Sequence, residues 1–359
     1  MDHQLLVGTS KGLLIYGLLN EKWVCVGRHF IGFPVSMIHI NPYNNDWWVG
    51  LSHRHWGQKL EYSSDQGKTW NRKSIPTYPS NALLSNGKPA KLKKIWVMAS
   101  GANEDELWMG TEPGGLFYSN TNGESFHLVE GLWNHPSRMN ANQWFGAGRD
   151  HPFIHSICIN PNDPNHLYIA VSCAGIFEST DKGKSWEVRN QGLIATYLPN
   201  PNAELGHDPH RLLMCQGHPK VLWQQNHCGI FRSTNGGREW KLLSKESEIP
   251  HYGFGLAIDH HHPEIAWVIP AKSDQMRVAP DLALTIYQTT NGGANWKKKY
   301  NGLPQENCFD IVFRHAFCKK EEHLFFGTNN GNLYHSKDQG TNWTLLSNNL
   351  ARIEYLEII

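Results

Sequence analysis

Histidine is the residue type here whose number and placement most readily suggest chemistry. The chain has 21 histidines, many of them in Gly-, Pro- and Asn-rich stretches typical of loops. Neutral imidazoles that converge from separate loops can hold Zn, Fe or Mn. The candidates for such a site are His53, His55, His155, His207, His210 and His227. No pair of histidines with helical metal-site spacing accompanies them, so the metal stays unknown, and a divalent metal held by histidine is one interpretation of three.

The second interpretation is a pocket for a small polar or anionic ligand. Arginine can clamp a carboxylate or phosphate with two parallel hydrogen bonds, and tryptophan offers a flat face to a sugar ring. The side chains of these types in loop-like stretches are Arg54, Arg138, Arg149, Arg211, Trp56, Trp133 and Trp144. The third interpretation is structural: the same side chains knit long loops together by packing and hydrogen bonding.

Acidic residues decide whether glycosidase chemistry is available, because it normally needs two carboxylates that flank the bond. The acids in suitable stretches are Glu112, Asp150, Asp208 and Asp274. Asp208 stands between His207 and His210, so it could orient an imidazole as easily as act as an acid. The catalytic candidates are therefore His53, Glu112, His155, Asp208, His210 and His227. The ligand-binding candidates are Arg54, His55, Trp56, Trp133, Arg138, Arg149, His207 and Arg211.

A repeated turn must position these residues. The pattern Ser/Thr-x-Asp/Asn-x-Gly-x-x-Trp occurs between short apolar runs, which predicts strand, turn, strand. Its copies begin at Ser63, Ser179, Ser233, Thr289 and Ser336, with a weaker one at Ser119. The Asp or Asn side chain closes the turn by accepting backbone hydrogen bonds, the Gly adopts a positive φ, and the Trp packs over the hairpin. The turn needs no ligand, so it is interpreted as scaffold.

This pattern resembles the Asp-box, or BNR repeat, of sialidases, sortilin-type receptors, xyloglucanases and the photosystem II stability/assembly factor. The resemblance implies a β-propeller with the boxes on its outer rim, and a glycosyl hydrolase-like or assembly-factor-like protein. The catalytic residues of sialidases do not carry over. The stretch Phe30–Pro34 lacks the arginine of that family's early motif, and sialidases have six blades. Whether the chain is an enzyme, of hydrolase or lyase type, stays open.

The spacing of seven aromatic plug residues, six of which end the boxes, predicts an all-β, seven-bladed propeller in one domain over residues 1–359. The series is Trp23, Trp70, Phe126, Trp186, Trp240, Trp296 and Trp343, at intervals of 47 to 60 residues. Leu5–Thr9 matches a second blade strand, so Ile353–Ile358 is expected to supply the first and close the ring. Residues 310–313 are expected to be the first strand of blade seven. Loops between blades then share one face with the loops after each second strand.

The composition of the chain limits the classes of molecule that it is expected to bind. The net charge is +1 with scattered Lys and Arg, which argues against nucleic acid and membrane surfaces. The N-terminal residues lack a signal-peptide pattern, and seven cysteines without a Cys-x-x-Cys pair favour a reduced, cytoplasmic protein. The function expected is a small sugar-like or anionic ligand bound in a His/Arg/Trp-lined pocket at the mouth of the central channel. The alternative is a non-catalytic scaffold with a protein partner.

Overall fold

The chain forms a ring of small β-sheets. A computed structural model describes residues 3–146, 148–245 and 248–359, and within these ranges lie seven four-stranded sheets. Every strand pairing within the sheets is antiparallel, and hairpins join most neighbours. The predicted all-β, seven-bladed propeller is confirmed.

Each blade is a four-stranded sheet that runs from an innermost to an outermost strand. In that order, blade one is β28 (Ile353–Ile358), β1 (Gln4–Thr9), β2 (Gly12–Leu19) and β3 (Lys22–His29); blade two is β4 (Val35–Ile40), β5 (Trp47–His53), β6 (Gly57–Ser63) and β7 (Asn71–Lys73); blade three is β8 (Lys94–Ser100), β9 (Leu107–Glu112), β10 (Leu116–Ser119) and β11 (His127–Leu128). Blade four is β12 (Ile154–Asn160), β13 (Asp163–Val171), β14 (Gly175–Ser179) and β15 (Glu187–Val188); blade five is β16 (Pro209–Met214), β17 (Leu222–Asn226), β18 (Gly229–Ser233) and β19 (Lys241–Leu242). Blade six is β20 (Gly253–Ile258), β21 (Ala266–Pro270), β22 (Ile286–Thr289) and β23 (Lys297–Lys299); blade seven is β24 (Phe317–Lys320), β25 (His323–Gly327), β26 (Leu333–Ser336) and β27 (Thr344–Ser347).

The ring closes through its two chain ends, as predicted. β28 pairs antiparallel with β1, and Leu5 stands opposite Ile358. The innermost strands of successive blades contact one another around the ring, ending with β28 against β4. Apolar side chains fill the spaces between blades, and the clusters join neighbouring sheets. Closure gives blade one its innermost strand, so each blade keeps only short, protected edges.

The Asp-box turns have the geometry that their sequence predicts. In the box of blade four, the Ser179 hydroxyl donates to Asp181 Oδ1 (2.8 Å) and accepts from the Gly183 N–H (2.8 Å). Asp181 Oδ1 also accepts from the Ser185 N–H at 2.9 Å, and Gly183 has a φ of +82°. Trp186 is buried and donates its indole N–H to the Gly183 carbonyl. All of these hydrogen bonds lie within the box, so the turn keeps its shape without a ligand. This supports a scaffold role.

The predicted position of one strand, in blade seven, is wrong. Residues 310–313 were expected to form its innermost strand, but the strand lies later, at β24. The Asp310 carboxylate accepts from the side-chain amides of Asn330 and Asn332, which anchors this segment to the loop after β25. Ile311 and Val312 are buried as a loop. Residues 311–313 therefore pack against the body of the propeller, but the chain continues from them into Arg314 and His315 before it enters the sheet.

Helices are short and scarce. The described residues contain one α-helix, α1 (Glu130–Trp133), and two 3₁₀ turns, Pro136–Met139 and Pro280–Leu282. None of the helices in the described part of the chain has the length and apolar character to span a membrane. All seven cysteines are free thiols.

The topology sorts the loops by face. Antiparallel order puts the starts of the innermost strands on the same face as the turns between second and third strands, and puts the Asp-boxes on the opposite face. The innermost strands surround the channel, whereas the turns between second and third strands lie further from the axis. Residues at the starts of the innermost strands therefore meet at the channel mouth.

The channel contains an acid that makes stability depend on pH. Burial raises the pKa of Glu357, on β28, to about 7, although Arg211 and Lys320 oppose this. Because the native state then binds more protons than the unfolded chain between about pH 4.5 and 7, stability falls as pH rises through that window. We expect Glu357→Gln to remove this slope and to raise the free energy of unfolding by about 1–3 kcal/mol at pH 8.

Urea unfolding of the wild type and Glu357→Gln at pH 4, 6 and 8 measures this effect. The two proteins should converge at pH 4 and separate at pH 8. The exposed residue Glu239 provides the matched control, and Glu239→Gln should track the wild type throughout. Parallel stability curves for the wild type and Glu357→Gln would show that Glu357 does not titrate in this window.

Candidate functional site

The mouth of the channel holds a cavity of about 470 Å³, within the range of small-molecule sites. Its walls come from the starts of the innermost strands and from the loops beside them. Every blade contributes: Glu354 from blade one, Ser36 from blade two, Lys94 and Trp96 from blade three, Phe153 and Ser172 from blade four, Asp208, His210 and His227 from blade five, Tyr252, Phe254 and Asp274 from blade six, and Phe313, Arg314 and His315 from blade seven.

Two cations of this cavity lack an acidic partner. Within the described residues, no carboxylate lies within 4.0 Å of the Lys94 ammonium or the Arg314 guanidinium. Burial lowers the pKa of Lys94 to about 8 and that of Arg314 to about 10. Both side chains still carry their charge at neutral pH, because these values remain above 7. The cavity therefore presents two positive charges with no carboxylate in direct contact, although Glu354 acts on Lys94 and Asp208 acts on Arg314 from further away.

Aromatic rings hold these cations in place. Trp96 and Phe153 stack with ring centroids 4.2 Å apart and an interplanar angle of 15°. The Lys94 ammonium lies 3.9 Å from the Trp96 ring centroid, and Arg314 lies 5.3 to 5.4 Å from Trp96, Phe153 and Phe254. Such contacts favour a cation over a ring face. Arg314 Nε also donates to the His210 carbonyl at 2.8 Å, which fixes the guanidinium at the wall.

Blade five places an aspartate and two histidines against one another. Asp208 Oδ2 lies 3.1 Å from His210 Nε2 and 3.6 Å from His227 Nδ1. His227 Nε2 in turn lies 3.7 Å from Asp274 Oδ2, on blade six. Asp208 and His210 are buried, and His227 is partly exposed to the cavity. We call Asp208, His210 and His227 the blade-five cluster.

The charge state of Asp208 follows from its partners. Burial alone would raise the pKa of its carboxyl, but His210, His227 and Ser172 outweigh it and hold the pKa well below its usual range. Burial lowers the pKa of His210, although Asp208 opposes the shift. Asp208 is thus a carboxylate and a weak base near neutral pH, suited to bind a cation rather than to donate a proton. The partly exposed His227, between two carboxylates, is better placed to carry a proton to or from a ligand.

Five residues named from the sequence line the cavity: Arg149, Asp208, His210, His227 and the candidate acid Asp274. Glu112 lies behind the wall, where its carboxylate accepts from Arg149 Nε at 2.6 Å. Arg211 lies deeper along the channel and contacts His315 Nδ1. Glu112 and Arg211 therefore contact residues near the cavity but do not line it.

His155 is buried between blades four and five, and His207 is buried in the loop before β16. His155 Nε2 bonds to the Pro209 carbonyl at 2.8 Å and its Nδ1 to the Ser156 hydroxyl at 3.0 Å. His207 donates from Nε2 to the Ala203 carbonyl at 2.7 Å. Both side chains are fully buried. Their placement agrees with the structural interpretation of the histidines.

Trp133 and Arg138 lie at a separate, smaller cavity of about 200 Å³, together with Trp144 and Asp150. The Arg138 guanidinium stacks 3.6 Å from the Trp133 ring centroid, and it donates to the carbonyls of Trp133 and Leu83. Trp144 donates its indole N–H to the Ser137 hydroxyl. These contacts tie the long loop between blades three and four to the body of the propeller.

The β5–β6 turn carries the remaining predicted residues. Arg54, His55 and Trp56 are exposed at its tip, and His53 Nδ1 accepts from the backbone N–H groups of His55 and Trp56. None of the four lines the cavity at the channel mouth. The turn shares the face of the mouth, but it belongs to the second and third strands of its blade and so lies away from the axis.

Lys94, Trp96, Tyr252, Phe254 and Arg314 were missed as site residues. A sequence signal for most of them existed. Lys94 and Trp96, Asp208 and His210, and Tyr252 and Phe254 are pairs two residues apart at the starts of innermost strands. Because alternate residues of a strand share one face, aligning the strand starts would have collected the lining. Arg314 lacked this signal because it precedes its strand.

Comparison with known proteins agrees with this architecture. A family model described as "BNR/Asp-box repeat" matches residues 61–72, and the same turn recurs in blades three to seven. The chain is a BNR/Asp-box repeat β-propeller. The matched segment spans the third strand of blade two, its box and the start of the fourth strand, all of which are scaffold.

Among curated proteins, the Asp-box propeller is similar to xyloglucanases. It is 28% identical over 173 residues to xyloglucanase Xgh74A of Acetivibrio thermocellus, covering 40% of this chain and 19% of that protein. It is 22% identical over 264 residues to an oligoxyloglucan-reducing end-specific xyloglucanase of Emericella nidulans, covering 66% of this chain and 30% of that protein. The propeller thus spans less than a third of the length of these relatives.

Solved structures show the same fold. The GH74 xyloglucanase of Xanthomonas campestris superposes with a TM-score of 0.64 at 12% identity, over 96% of this chain and 52% of that one. YCF48 of Cyanidioschyzon merolae superposes with a TM-score of 0.56 at 12% identity, over 89% and 87% of the two chains. At these identities the likeness establishes the propeller architecture. The chain is thus a glycoside hydrolase-like propeller in fold, with distant xyloglucanase relatives.

Proposed function

We propose that the cavity at the channel mouth binds a small anionic carbohydrate, such as a sugar acid or a sugar phosphate. The observation that carries the proposal is the pair of half-buried cations, Lys94 and Arg314, that face the cavity without a carboxylate in direct contact. Burying an unpaired charge is costly. An anionic ligand would supply the missing partner through charge-assisted hydrogen bonds.

The walls favour a ring-shaped ligand over a bare anion. The stacked pair Trp96–Phe153 borders the cavity together with Tyr252 and Phe254, and these rings provide apolar faces for a sugar. The distant xyloglucanase relatives support a carbohydrate as the ligand class. Asp208, Asp274 and His227 add acceptors and a proton carrier on the same wall.

These groups support hydrolase or lyase chemistry on the bound ligand. A retaining or inverting glycosidase uses one carboxylate as nucleophile or base and a second group as acid. Asp208 is the ionised carboxylate, and His227 or Asp274 would handle the proton. The cations Lys94 and Arg314 would stabilise negative charge that develops on the ligand.

Removing the charge of Lys94 tests the binding proposal. Calorimetric titration is carried out with galacturonate, glucuronate and glucose 6-phosphate, each beside its neutral parent sugar. It should show binding of at least one of the anions and of none of the neutral sugars. We expect Lys94→Met to weaken that affinity about 10- to 100-fold, since a hydrogen bond to a charged group contributes about 1.5–3 kcal/mol.

Lys91 precedes the same strand but is exposed and does not line the cavity, so Lys91→Met is the matched control and should bind like the wild type. Equal affinities for acids and neutral sugars would contradict the anion site. So would a Lys94→Met variant that binds the anion as tightly as the wild type.

A protein-binding role is the second candidate function. It is favoured by large apolar side chains left in solvent, since Trp56 is 70% exposed and Ile31 is 69% exposed. Exposed Trp is enriched in interface hot spots. If no anionic or neutral sugar binds while Trp56→Ala abolishes capture of a protein partner, this candidate would replace the first.

A further inference from the structure

The blade-five cluster has the donor set of a transition-metal site. We propose that Asp208 Oδ2, His210 Nε2 and His227 Nδ1 bind one divalent first-row metal ion, of the Mn, Fe or Zn class. Two imidazole nitrogens and one carboxylate oxygen on one side of an ion, with open positions opposite, suit these metals. The inference concerns the protein without its ligand, so it does not depend on the proposed carbohydrate.

The spacing of the donor atoms fits an ion between them. His210 Nε2 and His227 Nδ1 lie 3.1 and 3.6 Å from Asp208 Oδ2, and one donor atom from each of the three residues falls within 4.8 Å of the others. Metal–ligand bonds of about 2.0–2.2 Å place neighbouring donors about 3–3.5 Å apart. Small side-chain rotations would therefore complete the triad.

The hydrogen bonds around the cluster orient it toward a common point. Asp208 Oδ1 accepts from the Ser172 hydroxyl (2.8 Å) and from the Cys173 N–H (3.2 Å), which leaves Oδ2 for the cluster. His210 Nδ1 donates to the Gly253 carbonyl at 2.6 Å. Metal-bound histidines characteristically donate their second N–H to a carbonyl or a carboxylate, which fixes the ring and its tautomer.

His227 has the corresponding arrangement on the other side. Its Nδ1 faces Asp208, and its Nε2 lies 3.7 Å from the Asp274 carboxylate. With Nδ1 on the ion, the Nε2 proton would point toward Asp274. Tyr197 and Tyr252 pack edge-on against this ring at centroid distances of 5.0 and 5.2 Å, so its orientation is set by packing as well.

A cation also resolves a conflict within the cluster. A carbonyl oxygen can only accept, so the bond to Gly253 requires the proton of a neutral His210 to sit on Nδ1. The Nε2 lone pair then faces the Asp208 carboxylate at 3.1 Å, and two acceptors oppose each other. A metal ion between them converts both into ligands. The competing solution is a doubly protonated His210, which forms an ion pair with Asp208 and needs no metal.

The remaining coordination positions would open to the cavity, because His227 and Asp208 both line it. A bound ion there would act as a Lewis acid on an anionic ligand.

Metal titration of the chelator-treated, full-length protein tests the inference. Co²⁺ is the first probe because its visible absorption reports nitrogen and oxygen coordination directly, and Mn²⁺ and Zn²⁺ follow by calorimetry. We expect about one equivalent to bind at saturation, as for a preformed site of three protein ligands. His227→Gln and Asp208→Asn should each weaken binding at least 10- to 100-fold.

His55, on the exposed turn between β5 and β6, supplies a matched control, and His55→Gln should bind the ion like the wild type. Far-ultraviolet circular dichroism and the melting temperature show whether each variant is folded. A folded wild type that binds none of the three ions overturns the metal site, as does binding that neither His227→Gln nor Asp208→Asn alters. Lys94→Met should retain the metal, so failure of the carbohydrate proposal remains separable from failure of this one.

Discussion

Deletion of residues 350–359 is expected to unfold the propeller at room temperature. The deletion removes β28, the innermost strand of blade one, whose Ile353, Tyr355, Leu356 and Ile358 side chains are buried. Burial of each such side chain contributes about 1.5–3 kcal/mol, and the four together approach the whole stability of a typical protein of about 5–15 kcal/mol. The loss also opens the ring, because β28 contacts β4 and β24 as well as pairing with β1.

The melting temperature, read by circular dichroism, measures the effect. A peptide of residues 350–359 added to the truncated protein should restore a cooperative transition, and a scrambled peptide of the same composition should not. A truncated protein that melts within a few degrees of the full chain would show that blade one closes without β28.

Substitution of Arg314 by Met is expected to separate ligand binding from stability. The guanidinium is half-buried among Trp96, Phe153 and Phe254 and has no carboxylate within 4.0 Å among the described residues. A buried charge without a partner costs several kcal/mol, and its removal leaves only the His210 carbonyl without the Nε donor. The free energy of unfolding in the absence of ligand should therefore stay constant or rise by about 1 kcal/mol.

The affinity of the same variant for the anionic carbohydrate should fall by about 100-fold, since a bidentate partner of the anion is lost. Denaturant titration and calorimetry on one preparation give both numbers. Arg28→Met, at an exposed position on β3, is the control and should change neither. If Arg314→Met loses several kcal/mol of stability while binding survives, Arg314 is a structural residue and the anion site loses its main support.

The scaffold of this protein could be predicted from its sequence because the signals are local. Within one box the hydroxyl, carboxylate, glycine and tryptophan satisfy one another over eight residues, as Ser179–Trp186 shows. A turn of this kind folds alike in blades two to seven, so its repetition, together with Trp23 of blade one, counts the blades. The closing strand could be found for the same reason, since Leu5–Thr9 lacked an inner neighbour and Ile353–Ile358 was the apolar segment left over.

The site could be predicted only in part, because a repeat fixes the face of a loop but not its distance from the axis. His53, Arg54, His55 and Trp56 share the face of the channel mouth but sit at an outlying turn. His155 is on the innermost strand of blade four, but its ring is buried against blade five, where it bonds the Pro209 carbonyl.

The tertiary structure decided which side chains meet. Asp208 Oδ2 and His227 Nδ1 lie 3.6 Å apart. They meet because Asp208 ends the loop before β16 and His227 follows β17, the strand that pairs with β16 in the same blade. Lys94 and Arg314 reach one cavity from blades three and seven only because the ring brings their strand starts to a common centre. The sequence alone determined the frame, through contacts within single hairpins. The blade-five cluster forms within one blade, but the cavity that it faces depends on contacts between blades, which exist only once the ring has closed.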